Sequence, residues 1–160
     1  MFFSVREQLK LFFIHPVFLS CVFSWFCAQF LKTAIALFYN KIHSLPQLFE
    51  IMFWRTGGMP SSHSALVASL CTSIGFKNGF DSDLFVLALC FLLITVRDAL
   101  GVRRASGIQA RKLNEIGKEL SEKKMLSYKP IKEVMGHSPL EVSLGVVLGV
   151  SIGAALSLLQ

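Results

Sequence analysis

The sequence contains few charged residues for its length. Only 16% of its 160 residues are Asp, Glu, Lys or Arg, whereas 53% are apolar and 15 are phenylalanine. Because a soluble domain carries roughly 25% charged residues, this composition argues against a soluble protein. The length is that of a single folding unit, so we expect residues 1–160 to form one integral-membrane domain.

Cysteine is also scarce, and its spacing excludes further classes of site. All four cysteines fall within apolar segments, without the close pairing that zinc sites require. We therefore predict reduced, packed thiols, with neither a disulfide framework nor a metal ion nor another cofactor. The basic stretch at residues 103–124 has no interleaved aromatic residues, so nucleic acid is not an expected partner.

Apolar segments dominate what the sequence does contain. Residues 16–38 hold a single charge, Lys32, and are long enough to cross roughly 30 Å of hydrocarbon. The others lie at residues 61–76, 84–100 and 142–159. No small-residue cleavage site follows the N-terminal segment, which we interpret as retained and lying at the membrane interface. The prediction is an all-α polytopic membrane bundle of about four transmembrane helices.

Two further patterns concern how these helices are arranged. Glycine recurs every fourth residue at Gly145, Gly149 and Gly153, and such a face lets membrane helices approach closely. Residues 102–139 contain nine Lys or Arg against four Glu. Within them, the helical spacing of apolar residues in 103–124 predicts an amphipathic surface helix. The basic excess is interpreted as a cytoplasmic loop or as contacts with anionic headgroups.

Residues 57–65 read GGMPSSHSA and lie where a polar loop meets an apolar helix. Gly57 and Gly58 would let backbone amides approach a ligand, and Pro60 suits the first turn of a helix. The free N–H groups of a helix start attract anions. His63 could exchange a proton with a bound anion, because histidine titrates near neutral pH. The segment therefore predicts a phosphate site.

A second motif, GHSPLEV, occupies residues 136–142. His137 and Glu141 are four residues apart and share one helix face, so the carboxylate could orient the imidazole for nucleophilic attack. The alternative is structural: Ser138, Pro139 and Glu141 also have the spacing of a capping box. The spacing alone favours the cap over catalysis.

The predicted topology places these motifs together. With four spans, the loops at residues 39–60 and 101–139 lie on the same side of the membrane. His63, His137 and Glu141 would then meet Asp98 and the two arginines Arg103 and Arg104 at one face. We interpret Asp98 either as a partner of these arginines or as a residue that positions the site.

The combination of motifs resembles a known family. AQFLK (28–32), GGMPSSHSA (57–65), DALGVRRASGIQA (98–110), LN (113–114) and GHSPLEV (136–142) are similar to the divergent branch of the type 2 phosphatidic-acid phosphatase family, relatives of vanadium-dependent haloperoxidases. The resemblance covers most of the chain. It implies an integral membrane protein, expected in a bacterial cell membrane, whose site needs no metal.

The resemblance also implies roles for individual residues. Ser61 and Ser62 would bind phosphate, His63 would protonate the leaving alcohol, His137 would form a phosphohistidine, and Glu141 would orient His137. Ile131 stands where the family has a phosphate-binding arginine, and the typical Lys-x6-Arg-Pro motif is missing. Phosphate oxygens need cationic partners, for which Arg103, Arg104 and the weaker candidate Lys32 are the replacements.

Two functions follow from these patterns. The first is a metal-independent histidine phosphatase acting on a lipid phosphate or an isoprenoid pyrophosphate. The second is a non-catalytic membrane protein that binds or helps move phosphorylated lipids, which the missing motifs favour. Membrane lipids are the expected partners in both. The basic loop places the site on the cytoplasmic side, whereas the resemblance implies the outer side.

Overall fold

The computed structural model of the chain describes residues 4–39, 44–53, 58–133 and 136–159. All regular structure in these ranges is helical. The seven helices are α1 (Val5–Phe13), α2 (Pro16–Phe38), α3 (Leu45–Phe53), α4 (Ser62–Asn78), α5 (Asp83–Leu100), α6 (Val102–Glu122) and α7 (Pro139–Leu158). The all-α architecture predicted from the sequence is confirmed.

Helix starts coincide with capping residues in the sequence. Ser4, Ser61, Ser82 and Ser138 each accept a hydrogen bond from a backbone N–H of the first helical turn, at α1, α4, α5 and α7. A hydroxyl at this position satisfies one of the N–H groups that a helix start leaves unpaired. Proline at the first position of α2 and α7 is compatible with the same geometry.

Three helical stretches are long and apolar enough to cross a membrane. They are Pro16–Phe38, Asp83–Glu122, which comprises α5 and α6, and Pro139–Leu158. The remaining predicted span corresponds to α4, which has 17 residues and is rich in serine. Because α4 packs against α2, α5 and α7, its hydroxyls face other helices rather than lipid. The count of about four spans thus includes one short central helix.

The bundle has small residues inside and large apolar residues outside. The largest fully buried side chains are serines, at Ser20, Ser24, Ser61, Ser64 and Ser69. By contrast, phenylalanine, leucine and valine side chains of α2, α5 and α7 are exposed on the outer surface. Membrane helices pack through small residues because lipid offers no hydrophobic driving force between helices. This distribution indicates a lipid-facing exterior.

The glycine face of α7 packs directly against α4. A Cβ atom added to Gly145 or Gly149 would overlap the carbonyl oxygen of Ser61 or Ala65, respectively. At Gly153 the Cβ would lie 2.9 Å from the carbonyl oxygen of Ser69. The predicted role of the three glycines in close helix packing is therefore confirmed, and the contact fixes α4 against α7 over most of their lengths.

Helix α6 is amphipathic and contacts the bundle through α5. Its apolar residues Ile108, Leu113 and Ile116 are exposed, as expected of a helix that rests on a membrane surface. The segment after α6 turns back along it, and Tyr128 packs on Gly117. The predicted surface helix is thus present, and the chain returns from it toward the start of α7.

Candidate functional site

The starts of α4 and α7 are joined at one end of the bundle. The Ser61 backbone N–H donates to the Glu141 carbonyl at 2.9 Å. This bond holds the motif that contains His63 beside the motif that contains His137. The convergence inferred from topology is therefore present in the structure.

His137 is held by Glu141 on the first turn of α7. The side chain of His137 is only 9% exposed, and its Nδ1 lies 3.1 Å from Glu141 Oε2. A carboxylate can only accept a hydrogen bond, so Nδ1 carries a proton, and in the neutral ring Nε2 then keeps a free lone pair. The imidazole is thus set in the tautomer that a nucleophile at Nε2 requires.

The same carboxylate also caps α7. Glu141 Oε2 accepts from the Ser138 backbone N–H at 2.9 Å, and Ser138 Oγ accepts from the Glu141 backbone N–H at 3.3 Å. The predicted capping box is confirmed. Cap and imidazole contact are compatible, because one oxygen serves both. The cap and the contact that could orient the imidazole are therefore both present in a single geometry, and the catalytic role of the motif stays a prediction.

His63 lies on the first turn of α4 and remains exposed. Arg103, Lys32, His137 and Asp98 all lie close enough to act electrostatically on its ring. Of the predicted site residues, these are the ones that the structure brings around His63. An exposed imidazole beside a buried one could exchange protons with a ligand bound between them.

Lys32 is the buried cation of the site. Its side chain is 6% exposed, and its aliphatic part packs on Gly58, whose φ of +88° requires glycine. The ammonium donates to Gln29 Oε1 at 2.9 Å, and Gln29 donates to the Met52 carbonyl at 2.8 Å. Glu141 lies within electrostatic range of this ammonium. Within the described ranges, however, Lys32 forms no ion pair.

The two arginines differ in their surroundings. Arg103 Nε pairs with Asp98 Oδ2 at 2.5 Å, which confirms Asp98 as an arginine partner. Arg104 is exposed, and its backbone is so close to Gly136 that a Cβ there would overlap it. Gly136 therefore packs against the start of α6, next to Arg103 and Arg104.

Four further positions of the motif GGMPSSHSA belong to the predicted site. Gly57 lies outside the described residues, so its expected role is still a prediction. Pro60 is not in the first turn of α4, as its sequence position suggested, because it precedes the cap Ser61 and follows a cis peptide bond. Ser61 is fully buried and its Oγ accepts from Ser64 Oγ at 3.0 Å, whereas Ser62 opens α4 and is also buried.

Asn114 has a structural role that the sequence motif only suggested. Its Oδ1 accepts from Tyr128 Oη at 2.6 Å and from the Ile131 N–H at 2.9 Å. Its Nδ2 donates to the Ile131 carbonyl at 2.9 Å and to Glu133 Oε1 at 2.8 Å. The Asn114 side chain thus holds the segment after α6, residues 125–133, against that helix. A lone asparagine inside a basic helix gives no sequence pattern for a contact 17 residues away.

Gln29 is a second residue whose role was missed. It connects Lys32 to the backbone of α3 and orients the ammonium. Its position three residues before Lys32, on the same helix face, is the sequence feature that could have indicated the contact.

Comparison with known proteins agrees with this architecture. The divergent PAP2 family matches residues 13–152. An uncharacterized membrane protein of Bacillus subtilis (strain 168), YuiD, is 39% identical over 145 residues, which cover 79% of this chain and 92% of YuiD. No solved structure matches the chain. Because the match extends over most of the sequence and includes both histidine motifs, the chain belongs to the divergent PAP2 family of membrane proteins.

Proposed function

We propose that the protein is a membrane phosphatase that hydrolyses a lipid phosphate or an isoprenoid pyrophosphate through a phosphohistidine at His137. The observation that carries the proposal is the buried ammonium of Lys32, whose described hydrogen-bond partner is the neutral Gln29. A buried cation is costly unless an anion accompanies it. A phosphate group held between His63 and His137 would supply that anion.

In the proposed reaction each histidine has a role in the first step. His137 Nε2 attacks phosphorus, so that a P–N bond forms while the bond from phosphorus to the leaving oxygen breaks. His63, in its protonated form, gives its proton to that oxygen. Glu141 accepts the hydrogen bond from His137 Nδ1 and stabilises the positive charge that develops on the ring.

The second step regenerates the enzyme. Water attacks the phosphorus of the phosphohistidine, and His63 takes a proton from that water. The P–N bond then breaks and phosphate is released. Lys32, Arg103 and Arg104 would balance the charge on the non-bridging oxygens. Ser61 and Ser62, at the start of α4, would help to bind the same oxygens. The three cations exceed the two nearby carboxylates, Asp98 and Glu141, which favours an anionic ligand.

A second candidate is a non-catalytic protein that binds or helps move phosphorylated lipids. It is favoured by Ile131, which replaces the expected arginine and whose backbone is fastened to Asn114. The pairing of Arg103 with Asp98 also reduces the free positive charge available to a transition state. Both candidates use the same anion site and differ in turnover.

Phosphate release from the purified full chain in nanodiscs tests the proposal, with phosphatidic acid and farnesyl or undecaprenyl pyrophosphate as substrates. His137→Ala should abolish release, and His63→Ala should lower the rate by about 10²–10⁴-fold. Lys32→Met should weaken vanadate binding at least about tenfold without lowering the free energy of unfolding, because it removes an uncompensated buried charge. Lys118→Gln, on the exposed face of α6, is the matched control and should behave as wild type.

The outcomes separate the candidates. Release that survives both histidine substitutions would overturn the mechanism. Vanadate binding that depends on Lys32 without any turnover would favour the non-catalytic protein.

A further inference from the structure

A cavity lies at the opposite end of the bundle from the histidines. It has a volume of about 210 Å³ and is lined by the start of α2, the end of α4 and the end of α7. The lining combines apolar side chains with Ser73, Lys77 and Ser157. Pockets for drug-sized ligands usually exceed about 300 Å³, so this one suits a small headgroup. Its position at the helix ends places it where lipid headgroups meet the hydrocarbon.

A cation without an acidic partner lies at this cavity. Lys77 Nζ is 2.7 Å from His15 Nε2, and an ammonium can only donate, so the imidazole accepts. Asp81 and Asp83 occupy the same end of the bundle, yet neither pairs with Lys77 within the part of the chain that the structure describes. Two of the three ammonium hydrogens are therefore available to an anion.

The hydroxyls that line the cavity act as acceptors. Ser157 Oγ donates its hydrogen to the Gly153 carbonyl at 2.7 Å. Ser20 Oγ donates to the Val17 carbonyl at 3.0 Å, so in its 2.7 Å contact with Ser73 it must accept, and the Ser73 hydrogen is also used. Both lining oxygens keep lone pairs. A complementary ligand would carry a negative charge for Lys77 and hydrogen-bond donors for the two serines.

From this arrangement we infer that the cavity binds the headgroup of an anionic phospholipid with hydroxyl donors, as in a phosphoglycerol headgroup. The phosphodiester contacts Lys77, and the headgroup hydroxyls donate to Ser73 and Ser157. Pro16, Val17 and Phe76 contact the apolar part of the lipid next to the headgroup. The site is independent of the proposed phosphatase reaction, because it lies at the other membrane face and uses none of its residues.

The test measures lipid-dependent stabilisation of the detergent-purified full chain. A ligand that binds only the folded state raises the unfolding temperature with its concentration. Short-chain phosphatidylglycerol should stabilise the wild type, and phosphatidylcholine of equal chain length should not. Lys77→Gln should raise the apparent dissociation constant for phosphatidylglycerol by roughly tenfold, the loss expected for one hydrogen bond to a charged group. Lys10→Gln, an exposed lysine of α1, is the matched control.

Further arms separate the lipid from a free anion and from nonspecific charge. Ser157→Leu should fill the cavity and remove stabilisation by phosphatidylglycerol while Lys77 is retained. Inorganic phosphate at the same concentration should stabilise far less than the lipid. Equal stabilisation of wild type and Lys77→Gln would overturn the site, as would equal effects of Lys77→Gln and Lys10→Gln. Stabilisation by inorganic phosphate as strong as by the lipid would overturn the lipid assignment.

Discussion

Glu141 connects the two helix starts that carry the histidines of the candidate site. Its carboxylate holds His137 and caps α7, and its carbonyl accepts the N–H of Ser61 at the start of α4. The position of the imidazole is thus coupled to the packing of the two helices that carry the histidines. The two roles of Glu141 can be separated experimentally, because a glutamine amide at this position keeps the cap and loses the charge.

Glu141→Gln is expected to lower the turnover rate by at least about 10²-fold, because the amide no longer stabilises a positive imidazole. Its oxygen can still accept from the Ser138 N–H, so the free energy of unfolding should fall by less than about 1 kcal/mol. Phosphate release and denaturant unfolding measure the two effects. A variant with wild-type turnover would assign Glu141 to the cap alone. Ser138→Ala should instead cost about 1 kcal/mol of stability through the cap.

At the scale of elements, the packing of α7 on α4 is set by glycine. Gly149→Ala is expected to destabilise the protein by about 1–3 kcal/mol, because the added methyl group meets the Ala65 backbone and forces the helices apart. Ala155→Leu adds more volume to the exposed face of α7 and should change stability little. Unfolding in a denaturing detergent measures both variants. Similar effects for the two would contradict the close α4–α7 contact.

The return segment after α6 depends on Asn114. Asn114→Ala removes four hydrogen bonds and should release residues 125–133 from the helix. Trypsin should then cut after Lys132 at least about tenfold faster, since opening of this segment becomes a local event. Gln109→Ala, at an exposed position of the same helix, is the control. Unchanged cleavage in Asn114→Ala would show that other contacts hold the segment.

The sequence predicted the elements better than it predicted the contacts between them. Helix α2 has the predicted bounds of 16–38, and α4, α5 and α7 differ from their predicted segments by a few residues, because hydropathy and capping serines mark where helices begin. The glycine repeat indicated a close helix contact on one face of α7 for a similarly local reason, but it did not indicate α4 as the partner. Pro60 was misplaced because a proline can precede a helix cap as well as open the first turn.

The polar contacts of the site were less accessible to sequence reasoning. His137 and Glu141 lie four residues apart, so helical geometry indicated their contact, and the predicted topology brought Asp98 close to Arg103. The burial of Lys32 and the clamp at Asn114 depend on distant segments, and no local period predicts them. Lys32 accordingly changed from the weaker cation candidate to the most buried one.

At the scale of the whole molecule, convergence of the two histidine motifs requires the polar loops at residues 39–60 and 101–139 to lie on one side of the membrane. In a background without the four native cysteines, Leu45→Cys and Leu126→Cys should react with an impermeant maleimide from the same side. Asp81→Cys, in the connection between α4 and α5, should react from the other side. Labelling of positions 45 and 126 from opposite sides would contradict the convergence of the histidine motifs.

The proposed phosphatase reaction requires phosphoryl transfer to His137 at the end of the bundle that carries both histidines. The most direct measurement is to react the purified chain with ³²P-labelled phosphatidic acid or isoprenoid pyrophosphate and to quench the reaction rapidly. Peptide mapping then locates any phosphorylated residue, and a phosphohistidine is recognised because it is labile in acid and stable in base. We expect a ³²P label on His137 in the wild type and in the Lys118→Gln variant, and no label in the His137→Ala variant. Turnover without any label on His137, or a label that persists in His137→Ala, would contradict the proposed reaction.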